Sequence, residues 1–281
     1  MRNLISANLH RLWKSKVFWG CEIVGALYAL FLSQALYMDM QTNGIPQCLD
    51  SGLCNYIVFF GIILAVFCSL YLGSELGDGT IRNKVAAGHR KSRIYLASLL
   101  ACAIAATIMY LTYLIVYLAA SMPRLLPLKA DIATVVAILA SGLVLALAYC
   151  ALYTLIAMTV SNKAVVSTAC ILLAFVLFLM GIAIRQRLEQ PETFEILDYD
   201  SVTHEEIYTG QYISNNKYLQ PSKRQVYEFL DDFLPGGQGL NLSGMMKPEL
   251  TFDGILPLYS LCIVALATST GLILFTRKDL Y

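Results

Sequence analysis

Long apolar runs alternate with short polar ones along this chain. Six runs reach the length of a membrane span, roughly 17–38, 53–74, 94–120, 132–158, 165–184 and 254–275. A bilayer core takes about 20 mostly apolar residues per helix. Each run is expected to be helical, because a backbone amide left unpaired in hydrocarbon costs several kcal/mol. A β-barrel would instead show short strands of alternating character. The expected fold is an all-α polytopic membrane protein with six transmembrane helices.

The polar intervals set the organisation. Residues 1–16, MRNLISANLHRLWKSK, place Met1, Ile5, Leu9 and Leu12 at helical spacing, with Trp13 beside them. Arg2, Arg11, Lys14 and Lys16 lie largely elsewhere on the wheel. The pattern predicts an amphipathic helix lying at the membrane interface; the alternative is a basic flank that fixes orientation alone. The first apolar run has full span length and no small-residue cleavage site, so it is expected to remain as the first span. TVSNKA joins spans four and five as a tight hairpin. SMPRLLPLKAD joins spans three and four, with Pro123 and Pro127 stopping one helix before the next.

Residues 185–253 form the one sizeable polar segment. Twelve acids lie there: Glu189, Glu192, Glu195, Asp198, Asp200, Glu205, Glu206, Glu228, Asp231, Asp232, Glu249 and Asp253. They face six bases: Arg185, Arg187, Lys217, Lys223, Arg224 and Lys247. Tyr199, Tyr208, Tyr212, Tyr218 and Tyr227 make it too aromatic for a disordered linker. PSKRQVYEFLDDF reads as a helix opening at Pro221 with an apolar stripe of Val226, Phe229, Leu230 and Phe233, ended by Pro235-Gly236-Gly237. A small folded cap is expected. The chain thus divides into an interfacial helix (1–16), helices one to five with a basic loop at 75–93 (17–184), the cap (185–253), and helix six with its tail (254–281).

Composition supports the membrane assignment. The 281 residues are 58% hydrophobic and 14% charged, against about 45–50% and 25% for soluble domains. Net charge is +1, but it is unevenly spread. With six spans both termini share one side. That side holds Arg2, Arg11, Lys14, Lys16, Arg82, Lys84, Arg90, Lys91, Arg93, Lys163, Arg277 and Lys278, while the short loops opposite hold Arg124 and Lys129. Positive residues favour the cytoplasmic side, so both termini are expected to be cytoplasmic. No nucleic-acid partner is expected.

Little catalytic chemistry is visible. There is no G-x-x-x-x-G-K-[ST] loop for ATP; GDGT is too short. His10, His89 and His204 all lie outside the spans, so no catalytic residue, metal site or cofactor is expected in this chain. Cys21, Cys68, Cys102, Cys150, Cys170 and Cys262 fall in spans as small apolar residues. Cys48 and Cys54, in QCLDSGLCN, flank a turn; a disulfide and a pair of free thiols both fit. Glu22 is the one carboxylate well inside a span. An ionisable residue there marks function by default, but about one turn from the cytoplasmic edge it can also reach the interface or pair with Lys14 or another nearby base.

The segment ELGDGTIRNKVAAGHRKSRIY, residues 75–95, is more specific. Asp78 or Thr80 is expected to cap a short helix that Gly88 ends, and Ser92 to cap the third span. Ile81 and Val85 share one face at i, i+4; Arg82 and Lys84 point elsewhere. Such a helix across the membrane surface leaves a face for docking, unless it is merely a charged turn that sets topology.

Six spans, an N-terminal interfacial helix and this loop together resemble the type-2 permease subunits of bacterial ATP-binding cassette (ABC) exporters. The matching positions are Glu75, Gly79, Thr80, Ile81, Arg82, Asn83, Lys84, Gly88, Ser92 and Arg93. The resemblance implies that the loop, with Val85, is a coupling helix for a separate ATPase subunit, present twice and carrying the ATP and magnesium. It implies a second permease copy, a homodimer in the bacterial plasma membrane, with spans one, two and five at the seam. Tyr28, Ser33, Gln34, Tyr56 and Phe59 are then candidates for the translocation path, or else packing and lipid-facing residues. The segment with Phe233-Leu234-Pro235 near Gln238 is similar to permeases of peptide, bacteriocin-immunity and bacitracin-type systems. The expected cargo is an amphipathic antimicrobial peptide. Efflux of a drug or lipid, or a peptide sensor that exports nothing, are the alternatives.

Overall fold

The computed structural model describes residues 2–199, 206–244 and 252–278. Helix α1 (Arg2–Lys14) breaks at Ser15, whose hydroxyl accepts from Phe18 N at 3.3 Å and so starts α2 (Lys16–Asn43). After a glycine turn at Gly44, a short helix α3 (Asp50–Leu53) runs into α4 (Tyr56–Gly77). A surface helix α5 (Thr80–Ala86) leads to α6 (Lys91–Ser121). Helices α7 (Ile132–Thr159) and α8 (Lys163–Leu188) form the expected hairpin, with Asn162 capping α8 through its side chain.

Among the described residues six helical segments are long and apolar enough to cross a membrane: Lys16–Asn43, Asp50–Glu75, Lys91–Ser121, Ile132–Thr159, Lys163–Leu188 and Leu256–Arg277, the last being α11. The chain is a multi-pass, largely helical membrane protein. Five of the expected spans lie inside these segments, and the sixth, 254–275, begins two residues before Leu256. Helix α2 packs along α6, α4 against α7 and α8, and α11 along α7.

Both described chain ends lie at one end of the bundle, called proximal here, with α5 and the α7–α8 turn. Lys91 Nζ donates to the carbonyl of Thr276 and Lys278 Nζ to that of Met158. At the opposite, distal end Asp50 accepts from the amides of Lys129 and Ala130 at 2.7 and 2.9 Å. These bonds tie α3 to the α6–α7 loop.

Three interior tyrosines bury their rings and spend their hydroxyls on backbone carbonyls. Tyr113 donates to Gly52 O at 2.7 Å, Tyr117 to Leu49 O at 3.0 Å and Tyr153 to Gly61 O at 2.9 Å. A buried polar group must find such a partner or lose about 1–3 kcal/mol. Leu49 O and Gly52 O also accept from the backbone amides of Leu53 and Asn55, so Tyr113 and Tyr117 each add a second bond that ties α3 to α6.

The distal cap departs from expectation in two ways. It contains an antiparallel hairpin, β1 (Thr193–Tyr199) and β2 (Glu206–Ser214), paired from Thr193↔Ser214 to Tyr199↔Glu206 with a bulge between Glu195 and Leu197. The fold is therefore not wholly helical. Second, α9 (Pro221–Phe233) does end where expected, but Pro235-Gly236-Gly237 opens a new helix, α10 (Pro235–Ser243), instead of a loop.

Helix α10 is buried along most of its length and packs on α8, α4 and α7. Its glycines make this possible. A Cβ on Gly236 would lie 1.9 Å from Leu177 O, and one on Gly181 would lie 2.6 Å from the Gly236 carbonyl carbon. Backbones of α8 and α10 therefore meet directly, as small residues allow between membrane helices. Gln238, fully buried, accepts from Ser260 Oγ of α11 at 2.6 Å and donates to Phe233 O at 3.1 Å. Asp200, His204, Glu205, Lys247 and Glu249, named above with the cap or the histidines, fall outside the described residues.

Candidate functional site

Four elements converge at the proximal end on one carboxylate. The last turn of α4 carries Glu75 inward, where it is 1% exposed. Arg11 Nη1 of α1 lies 2.8 Å from Glu75 Oε1, and Lys84 Nζ of α5 pairs with the same oxygen. Ser98 Oγ of α6 lies 3.5 Å from Oε2. Lys84 also donates to Asn8 Oδ1 of α1 at 2.9 Å. The Arg11 guanidinium stacks 3.9 Å over the Tyr71 ring, whose hydroxyl donates to Asn8 O at 2.8 Å. Glu75 thus binds α1, α5 and α6 to the end of α4.

Apolar contact completes the joint. Ile81 of α5 is 2% exposed and packs with Leu4, Ile94, Tyr95, Ala97, Met158 and Phe275. Burial of such a side chain contributes about 1.5–3 kcal/mol. Val85 leans on the same cluster, half-buried. The face of α5 turned outward carries Arg82, Asn83 and Ala86, followed by Ala87 and Gly88, with Arg90 and Arg93 exposed beside it.

Several capping expectations are corrected here. The N-cap of α5 is Gly79, in the left-handed region at φ 67°, and neither Asp78 nor Thr80 caps it. Thr80 Oγ1 instead donates to Glu75 O at 2.8 Å, closing the α4–α5 turn. Gly88, also left-handed at φ 84°, follows the helix as expected. Arg90, not Ser92, precedes the first turn of α6, without a side-chain cap. Lys84 does not point away; it turns in to Glu75. Burial, and after it the charge of Arg11, holds the Lys84 ammonium down to about 8 from its ordinary 10.5.

Helix α1 also differs from the interfacial pattern. Its buried face is Leu4, Asn8 and Leu12, about a residue round from Ile5 and Leu9, which are half-buried; Leu12 of the expected stripe is buried, and Met1 lies outside the described residues. Trp13 is exposed. The shift brings Asn8 and Arg11 to Glu75. A hydrophobic pattern cannot foresee this, because it weighs apolar residues and leaves out a distant buried acid. The signal that pointed to the hub was Glu75 itself, an acid closing an apolar run.

The other named residues sort as follows. Tyr28, Tyr56 and Phe59 come together with Tyr113: Tyr56 and Tyr113 stack at 4.3 Å and 9°, and Tyr28 lies 5.7 Å from Phe59. Tyr28 donates to Asn55 Oδ1 at 2.6 Å. Ser33 is buried and accepts from Ser121 Oγ at 2.9 Å, and Gln34 accepts from Arg124 at 2.8 Å. Within one chain these five act in packing and in joining α2 to α4 and α6. Cys48 and Cys54 are free thiols. Cys54 is fully buried, whereas Cys48 makes a backbone bridge with Leu126, so the weighed disulfide is not formed. Glu22 is 7% exposed, pairs with neither Lys14 nor another base among the described residues, and keeps Oε1 buried without a hydrogen-bond partner.

A second charged cluster, which sequence reading did not isolate, lies at the distal end. Arg185 of α8 pairs with Asp231 of α9 at 2.7 Å and also donates to Asn241 of α10. Asn241 in turn donates to Asp231 at 3.0 Å. A cavity of about 350 Å3 opens there, lined by these three and by Leu188, Glu189, Arg224, Glu228 and Asp232. Among the described residues no group of three or more His, Cys, Asp and Glu is placed to hold a metal ion.

Fold and site together define a six-span helical membrane protein with a rigid surface helix at one end and a folded cap at the other. No family model matches the chain. Nor does any curated protein resemble it significantly.

Proposed function

We propose that the chain is the membrane-spanning permease subunit of an ATP-driven exporter in the bacterial plasma membrane, its proximal end cytoplasmic. The observation that carries this reading is the mounting of α5. The helix presents Arg82, Asn83 and Ala86 outward while Glu75 locks it to α1, α4 and α6. A push on α5 therefore moves spanning helices rather than bending a loop. That is what a docking element for a separate ATPase requires, and the sequence contains no P-loop of its own. Two ATPases, carrying ATP and magnesium, would act on two permease copies.

The cargo we assign to this exporter is an amphipathic, cationic peptide. Glu189, Glu228, Asp231 and Asp232 outnumber Arg185 and Arg224 around the distal cavity. Phe194, Tyr212, Ile213, Val226 and Phe229 leave apolar surface exposed on the cap. Acids draw cations within about 8 Å at physiological salt, and aromatic rings add cation–π contact. A drug or lipid permease would share the spans but would not need this surface; a peptide sensor that exports nothing would need it too, and is separated by whether peptide leaves the cell.

The test compares the wild type with Arg82→Glu in cells and in purified complex. The variant is expected to insert and fold normally, yet to lose ATP-dependent peptide efflux and peptide-stimulated ATP hydrolysis. Cysteine at Asn83 or Ala86, on the outward face, should cross-link to the ATPase groove. Undiminished efflux by Arg82→Glu would sink the coupling assignment. Full resistance without any peptide efflux would favour the sensor.

A further inference from the structure

Glu22 is unused by the proximal hub and by the proposed coupling, and its setting is unusual. It lies in α2, six residues past Lys16, and faces a cavity of about 330 Å3 between α2 and α6. The lining residues are Trp13, Phe18, Trp19, Ile23, Ala26, Ile108 and Thr112. Ile108 and Thr112 lie 17 and 21 residues past Lys91, the first residue of the 31-residue α6, beyond its midpoint. Measured along α6 the carboxylate lies past the midpoint, and along its own helix it lies six residues, about 9 Å, past Lys16. Its Oε1 is buried with no hydrogen-bond partner. A lone carboxylate oxygen in an apolar cavity is costly unless something cationic or protic meets it.

The rings around it indicate what that is. Phe18 and Trp19 meet edge to face with centroids 5.4 Å apart, and Trp13 lies 5.8 Å from Phe18 and 6.0 Å from Trp19. Trp19 Nε1 donates to Trp13 O at 2.9 Å, which fixes one ring against the other. Three aromatic faces beside a carboxylate form the surroundings that hold an organic ammonium, the rings through cation–π attraction and the acid through charge. An inorganic cation would need several oxygen ligands. Beyond Glu22 the lining side chains supply one more oxygen, that of Thr112. Trp13 and Trp19 are about half exposed at the mouth, so the cavity opens sideways.

We infer that this cavity is a lateral binding site for a small lipophilic organic cation, with Glu22 as its counter-ion and Trp13, Phe18 and Trp19 as its aromatic wall. The size of the cavity, about 330 Å3, favours a free cation with a compact apolar body over the ammonium of a lipid headgroup. The site does not depend on the permease reading; binding there is expected even if the chain transports nothing.

The protein supplies its own reporter. Its two tryptophans are Trp13 and Trp19, so intrinsic tryptophan fluorescence reads this cavity. The probe pair is benzyltrimethylammonium and its uncharged isostere neopentylbenzene, titrated into full-length protein in phosphatidylglycerol nanodiscs. The cation is expected to change the fluorescence saturably, and Glu22→Gln to raise its half-saturating concentration by about tenfold or more. Ala26→Leu, which fills the cavity and leaves the acid in place, should weaken the cation as well. A thermal melt of each variant checks that the bundle is intact, and Ala26→Leu keeps the test alive if Glu22→Gln does not fold. Equal responses to cation and isostere would overturn the assignment, as would an unchanged midpoint in both variants. Competition by phosphatidylethanolamine added to the discs would overturn the free-cation source.

Discussion

Replacing Glu75 with glutamine is expected to loosen α5 from the bundle. The change keeps the size of the side chain and removes the charge that Arg11 and Lys84 share. Breaking a buried ion pair by removing one partner costs about 3–5 kcal/mol. The Arg11 and Lys84 side chains keep 30% and 17% of their surface exposed, so water recovers part of their hydration. The expected net loss is about 2–3 kcal/mol. It falls on local opening, because the tyrosine-pinned interior does not pass through this carboxylate. At 1.4 kcal/mol per tenfold, the amides of α5 should exchange with deuterium roughly 30 to 150 times faster. Exchange mass spectrometry of the nanodisc-embedded protein reads this from peptides covering α1 and α5, with α7 as internal reference. Unchanged exchange in α1 and α5 would refute the hub. Acceleration that includes α7 to the same extent would refute the claim that the hub acts locally.

Three further outcomes are expected. Because Lys84 holds its proton less firmly when docked than in the free chain, with its ammonium down at about 8, the docked state gains stability as pH rises from 8 toward 10.5. Corrected exchange protection of α5 should rise over that window and stay flat in Lys84→Met. Gly236→Ala places a Cβ 1.9 Å from Leu177 O, where backbone must give way, and should destabilise by about 1–3 kcal/mol or more; an unchanged melting temperature in detergent would contradict the α8–α10 contact. Cys48 is expected to react with a membrane-impermeant maleimide and fully buried Cys54 not to, and intact mass should be the same with and without reductant.

The spans were legible because hydrocarbon leaves an apolar run of some 20 residues one conformation. Residues 132–158 against Ile132–Thr159 show how far that constraint reaches. The surface helix at α5 was legible from its glycines and from Ile81 with Val85, although its cap was assigned to side chains where a left-handed glycine does the work. Helix α10 was not legible. PGGQGLNLS has poor helix propensity, and it is helical because α8 comes close enough to exclude every side chain at Gly236. The hairpin was missed for another reason. Thr193–Tyr199 and Glu206–Ser214 carry the β-branched and aromatic residues of strands, but Glu195 and Asp198 in one and Gly210 in the other interrupt the pattern. The pairing of Arg11 with Glu75 was not legible, because no local rule connects it with an acid 64 positions further along.

The stitching of α10 has a mechanical consequence. A lid needs a hinge, a few residues free to change φ and ψ. Between the cap and the spans, backbone rests on backbone at Gly181 and Gly236, and Gln238 bridges to Ser260 of α11. Tilting the cap alone would force two main chains together or strip a buried amide of its partners. The outer ends of α8 and α11 are therefore expected to travel with α10 as one unit. A displacement of α8 at this face is expected to carry α10 with it, and through Gln238 to reach α11.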